Sequence, residues 1–276
     1  MSDRIRYKLL KNQLFYAGLI SIILLLIFSF IGPFITHHSG LTQDLTNAFM
    51  NPDINYPMGT DYLGRDIMAR VMKGGRISLF VGIFSTVISV IIGTLVGVIA
   101  GYSGGLIDTI ISRLIDIMLA FPYLLIAIAL AAAMKPGFTS VIIALVIIGW
   151  ASIARLVRSR VIGIKECDYF NAARALGVGR IRIMIWHIIP NCFSTILVIF
   201  SLKIGTMILI ESALSFLGLS GAGEIESWGA LVSRGVTYID RTVWLSIFPG
   251  AAIALTVLAF NLLGDALRDA FDPKLL

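Results

Sequence analysis

The chain has 276 residues, 58% of them hydrophobic and 14% charged, with a mean hydropathy of +0.92. A soluble domain carries roughly 25% charged residues, so this composition excludes an ordinary water-soluble fold and points to a bilayer. The net charge of +6 does not mark a nucleic-acid binder, because the basic residues flank apolar spans instead of forming an extended polar face.

Six apolar segments approach the roughly 20 helical residues needed to cross a hydrocarbon core: Phe15–Ile35, Ile77–Gly101, Ile117–Met134, Ser140–Leu156, Thr195–Phe216 and Trp244–Gly264. Their runs are continuous, whereas barrel strands would alternate and be about half as long. The expected fold is therefore all-α, a polytopic membrane protein with six transmembrane helices. The expected organisation is a cytoplasmic N-terminal segment at 1–14, a first transmembrane helix at 15–35, an extracytoplasmic loop at 36–76, and a core membrane domain at 77–264. That core holds a cytoplasmic loop at 158–194, and a cytoplasmic tail follows at 265–276. The first span begins basic like a secretory signal, but its apolar run exceeds the usual roughly 7–15 residues and ends in Gly32-Pro33 without a small-x-small cleavage site, so it is expected to be retained.

Lys and Arg set the orientation. One side would hold Arg4, Arg6, Lys8, Lys11, Arg113 and the dense run from Arg155 to Arg182; the other would hold Arg65, Arg70, Lys73, Arg76, Lys135, Arg234 and Arg241. The bias places both termini inside. Cys167 and Cys192 then fall in the cytoplasmic loop, where thiols stay reduced and no disulfide framework is implied.

In the second span Ser85, Ser89, Gly93, Gly97 and Gly101 recur every four residues, a stripe of small side chains that lets another helix approach closely, in the same subunit or on a partner. His37-His38 lacks a third ligand and reads as interfacial polar residues, so no metal site is expected. In the 158–194 loop, Asp168 is the candidate N-cap of a helix over 169–176, and Gly177 its left-handed stop. A second segment leads to Pro190, where a break is expected. The knob so formed presents Ala172, Ala173 and Leu176 with Arg174, Arg180 and Arg182 around them. It suits either a protein socket or a layer of anionic headgroups. Lys203 and Glu211 lie inside the fifth span, eight residues and about 12 Å apart on one face, too far for a direct bond; a pathway or inter-helix role competes with snorkelling and an interfacial position. No lysine follows a glycine, so there is no P-loop, and no catalytic set converges in the spans.

The stretch from Asn171 to Gly177, with Pro190 downstream, resembles the cytoplasmic "EAA" loop of permease subunits in binding-protein-dependent ABC importers. Ala172, Ala173, Gly177 and Pro190 match that pattern in register, with Ile189 for Leu, His187 for Ile and Asn171 for the usual Glu. The last change is expected to weaken a capping-box bond. Three further stretches are similar to the C permease subunit of the dipeptide, oligopeptide and nickel importer family: Gly59 to Asp66, Leu214 to Leu219, and Asn261 to Asp269 with Asp272-Pro273. The resemblance implies a type I importer permease fold, with 77–264 as its core permease domain and the 168–190 knob as an ATPase-coupling surface. It also implies a second permease subunit as heterodimer partner, two cytoplasmic ATPase subunits that carry ATP–Mg, and an extracytoplasmic substrate-binding protein. The chain itself would be non-catalytic and bind no cofactor. Short peptides are the expected cargo, with nickel or a metal chelate as the alternative. An ATPase-independent secondary transporter or channel, the rival of a different class, would need a cluster of buried coupling charges that the spans lack.

Overall fold

A computed structural model describes residues 3–36, 39–221, 223 and 225–271; His37, His38 and Asp272-Pro273 lie outside the described residues. In chain order the helices are α1 (Asp3–Lys11), α2 (Gln13–Ile35), α3 (Ile67–Ser103), α4 (Gly105–Ala120), α5 (Tyr123–Ala133), α6 (Phe138–Lys165), α7 (Asp168–Ala175), α8 (Arg180–Phe216), α9 (Trp228–Thr237) and α10 (Trp244–Phe271). Among the described residues the only strand-like pairing is an isolated bridge between Thr60 and Asp66. The fold is all-α and polytopic.

Five helices, α2, α3, α6, α8 and α10, are long and apolar enough to cross a bilayer. The expected third span at 117–134 is corrected: α4 and α5 meet at a bend of 89° and count as a sixth span only as a broken pair. Pro122 explains the break, because it forces the preceding residue out of the helical region, and Phe121 is extended at φ −96° and ψ 148°. Apolar length alone does not register such a bend.

Several boundaries also move. Helix α3 begins at Ile67, so the expected 36–76 loop ends at Asp66, whose side chain caps α3 by accepting from the Met68 N–H at 2.9 Å. Arg70, Lys73 and Arg76 therefore stand on its first turns. Helix α8 runs through Pro190, where a break is expected. A π turn at Met184–Ile188 precedes it, and Pro190 sits at the opening of the regular α-helix, where a missing N–H costs least.

The small-residue stripe sets the central packing. A Cβ on Gly93 would come within 2.7 Å of the Trp150 carbonyl oxygen, one on Gly97 within 2.6 Å of the Ala154 oxygen, and one on Gly101 within 2.7 Å of Val161 Cβ. Helix α6 of the same chain lies directly on this face, with Ser89 beside Gly149 and both Ser85 and Ser89 fully buried. Positions advance together along the two helices, which therefore run parallel. Lipid supplies no hydrophobic force between helices, so this backbone proximity is what generates the van der Waals attraction. Helix α10 closes the other side: Gly18 admits the backbone of Ala259 and Leu263, and Gly264 admits Leu202 of α8.

Candidate functional site

The 158–194 segment folds as a short helix and turn held beneath α3 and α6. Cys167, not Asp168, is the N-cap of α7: it is extended, and its carbonyl oxygen accepts from the Asn171 N–H at 3.3 Å. Asp168 is the first helical residue, where a carboxylate still favours the positive end of the helix. Asn171 consequently lies one position beyond the capping-box site, so its substitution for Glu removes no cap bond. Gly177 ends the helix with φ +74°. The Val178 N–H bonds the Ala173 oxygen at 3.2 Å and the Gly177 N–H bonds the Arg174 oxygen at 3.0 Å, the paired bonds of a Schellman turn.

The two faces of α7 differ. Phe170 is buried and meets Tyr102 of α3 edge-on, with ring centroids 6.3 Å apart, in a cluster containing Val161, Ile164 and Ile183. Ala173, at 8% exposure, is turned toward this same interior, which corrects its expected place on a partner-facing surface. Lys165 ties the base of α6 to the end of α3 by donating to the carbonyl oxygens of Gly101 and Tyr102, each at 3.1 Å. The outward stripe is Tyr169, Ala172 and Leu176, at helical spacings of three and four, with Leu176 83% exposed. Exposed Arg174, Arg180 and Arg182 rim it, and Pro190 is exposed beyond them. Phe170, the anchor of this arrangement, left one trace in the sequence: an apolar residue three positions before Ala173 in a polar segment.

Glu211 is fully buried within the chain. Its carboxyl accepts from Ser215 Oγ at 2.7 Å and Ser212 Oγ at 3.4 Å, and the hydroxyls of Ser78 and Ser227 stand beside it. Ser78 Oγ in turn accepts from the Trp228 N–H at 3.1 Å, and Trp228 Nε1 donates to the Val71 oxygen at 2.8 Å. The carboxyl therefore sits where α3, α8 and the start of α9 converge. Hydroxyls around it offset the cost of a polar group away from water. Lys203 is half-buried on α8 and makes no ion pair with Glu211.

A second network went unread in the sequence except as part of a motif. Asp61 accepts from the Leu63 and Arg65 N–H groups at 2.8 and 2.9 Å and pairs with Arg65 at 2.7 Å and Arg70 at 3.3 Å. Arg70 also pairs with Glu226, which binds Arg234, and Arg234 donates to the Tyr62 hydroxyl at 3.0 Å. Burial opposes the charge on Arg234, but Glu226 and Tyr62 outweigh it and hold the guanidinium above its ordinary pKa. Three cations and two carboxylates thus staple the Gly59 to Asp66 loop, the start of α3 and the approach to α9. Near the far end of α3, Arg158 grips Asp108 through two bonds of 2.5 and 2.7 Å and Arg155 meets Asp116 at 2.5 Å, fastening α4 to α6. Residues so distant in sequence carry no common period, which is why pattern reading passes over them. Among the described residues no group of three or more His, Cys, Asp or Glu is placed to hold a metal.

Residues 93–276 match the family model described as "Binding-protein-dependent transport system inner membrane component", and residues 2–52 match the "N-terminal TM domain of oligopeptide transport permease C". The chain is 42% identical over 269 residues to the dipeptide transport system permease protein DppC of Bacillus subtilis, covering 97% of this chain and 84% of that protein. It is 39% identical to the oligopeptide transport system permease protein OppC of the same organism, covering 96% and 87%. It is also 43% identical to the glutathione transport system permease protein GsiD of Shigella flexneri, covering 84% and 77%. A crystal structure of an amino acid ABC transporter matches the fold with a TM-score of 0.53 at 22% identity, over 74% of this chain and 94% of that one. Both family matches and the dipeptide and oligopeptide permease relatives agree, and the chain belongs to the binding-protein-dependent transport system inner membrane components, with an N-terminal domain of the permease C type.

Proposed function

We propose that the chain is one permease subunit of an ATP-driven importer of short peptides. It pairs with a second permease, two cytoplasmic ATPase subunits that bind ATP–Mg, and an extracytoplasmic substrate-binding protein, with both of its own termini in the cytoplasm. The observation that carries this reading is the outward stripe of Tyr169, Ala172 and Leu176 on an element whose other face is locked to the membrane helices. Relatives named for dipeptide, oligopeptide and glutathione transport favour peptides over nickel or a metal chelate.

Motion is transmitted through rigid contacts. An ATPase seated on the stripe pushes α7, and Phe170 and Lys165 pass the displacement to the lower ends of α3 and α6. Those two helices move together because their backbones touch at Gly93, Gly97 and Gly101. Helix α3 has 37 residues, about 55 Å at 1.5 Å per residue, so a tilt at its base reaches the Arg70–Glu226 staple at its top. The chain performs no covalent chemistry in this scheme.

Inverted membrane vesicles do not suit an importer, so the test uses proteoliposomes with the purified assembly, the binding protein outside and ATP inside. Labelled dipeptide should accumulate only with ATP, and excess nickel should not compete. Uptake without ATP, or purification free of ATPase subunits, overturns the importer reading; competition by nickel overturns the cargo.

A further inference from the structure

We infer that Arg76 and the groove beneath it form a phospholipid site, in which the guanidinium takes the lipid phosphate and the groove takes an acyl chain. Arg76 stands on α3 and donates from Nε to the Ser29 oxygen and from an Nη to the Phe30 oxygen, each at 2.9 Å. Its charge also lies over the rings of Phe30 and Phe34, 5.9 and 5.2 Å from their centroids. Both acceptors are neutral carbonyls, and among the described residues no carboxylate lies within 4 Å of it. A guanidinium has five N–H donors; two are used here, so a full positive charge with spare donors remains at the edge of the membrane helices.

One turn below Arg76 a groove of about 270 Å³ opens between α2 and α3. Leu26 and Phe30 form one wall, and Leu79, Phe80, Phe84 and Val87 the other. Phe80 and Phe84 stack with centroids 5.4 Å apart and are both exposed. From Arg76 to Val87 the helix rises about 16 Å, and half of a hydrocarbon core measures about 15 Å. Arg76 and the groove below it together therefore span about the depth of one leaflet, with the guanidinium at the headgroup end. An unpaired cation over an apolar slot of that length matches an anionic headgroup on an acyl chain better than it matches an apolar helix, whose surface would leave the charge buried and unpaired. A larger apolar cavity on the other side of α2, lined by Leu24, Phe28, Phe248 and Leu255, has no such cation. Assigning the lipid to the outer leaflet rests on the proposed orientation.

The test uses the complete transporter. Photoreactive benzoylphenylalanine introduced at Phe84 in cells should cross-link to phospholipid, read by mass spectrometry of the purified assembly; cross-linking to the second permease would overturn the site. Delipidated complex titrated with phosphatidylglycerol should bind about fivefold more weakly in Arg76→Ala, the factor expected of one basic side chain at a lipid surface. Val87→Trp, which blocks the floor and leaves Arg76 in place, should weaken binding too, whereas Arg241→Ala should not. Equal binding by all three variants overturns the inference. An impermeant maleimide on Leu45→Cys reads the side independently: protection in intact cells with the lipid cross-link preserved overturns the orientation and leaves the lipid site standing.

Discussion

Replacing Gly177 tests the proposed coupling element with little ambiguity, because a Cβ there meets nothing within 4 Å. Any effect must come from the backbone. With φ at +74°, an L-residue pays roughly 1–2 kcal/mol for the left-handed conformation, and a β-branched residue more. The Schellman bonds from Val178 and Gly177 return only about 1 kcal/mol each, so strain of that size competes directly with the turn. A penalty of 1–2 kcal/mol on the docked geometry corresponds to about five- to thirtyfold weaker retention of the ATPase subunits. Gly177→Ala should fall in that range, Gly177→Val beyond it, and Gly177→Asn near wild type, since Asn tolerates the left-handed region. The assay is dilution-dependent loss of ATPase subunits from affinity-purified complex, read beside ATP-driven uptake. Wild-type retention by Gly177→Val, or equal damage from Asn and Val, would refute the backbone argument.

The two faces of α7 make a matched pair of predictions. Leu176→Asp, on the exposed face, should leave expression and thermal stability unchanged while abolishing ATPase retention. Ala173→Asp should reduce the yield of folded permease in fluorescence-detected size exclusion, because an unpaired buried charge is disfavoured by several kcal/mol; the opposite ranking would invert the assignment of faces. Glu211→Gln should insert and assemble yet lower uptake, whereas Glu211→Leu should also lower the melting temperature, as stranded hydroxyls cost about 1–3 kcal/mol each. Wild-type uptake by the Gln variant would leave Glu211 a purely structural role. Cys167 is half-exposed and Cys192 buried, so an impermeant maleimide should miss both in intact cells and label only Cys167 after lysis. Labelling of Cys167 before lysis would reverse the proposed topology.

Composition and continuous apolar runs determined by themselves that this chain is an all-α membrane protein, because no other backbone arrangement with such runs satisfies its hydrogen bonds in lipid. Local chemistry was equally legible: a glycine after a short helix marked the left-handed stop at Gly177, and five small residues at four-residue spacing marked a helix contact. Which helix makes that contact was a tertiary matter, since the stripe shows that a backbone approaches without naming Trp150, Ala154 and Val161. The inward turn of Ala173 was likewise decided by three-dimensional packing, whereas the bend at Phe121-Pro122 and the place of Pro190 at the opening of a regular helix follow from proline's local restrictions, which apolar length alone does not register. Ala172 and Ala173 look alike in sequence, and only the anchoring of Phe170 against Tyr102 makes one a surface residue and the other part of the core. The Asp61–Arg70–Glu226–Arg234 staple lay furthest from view, because ion pairs joining residues up to 156 positions apart arise from the meeting of separate elements, and no local periodicity encodes that meeting.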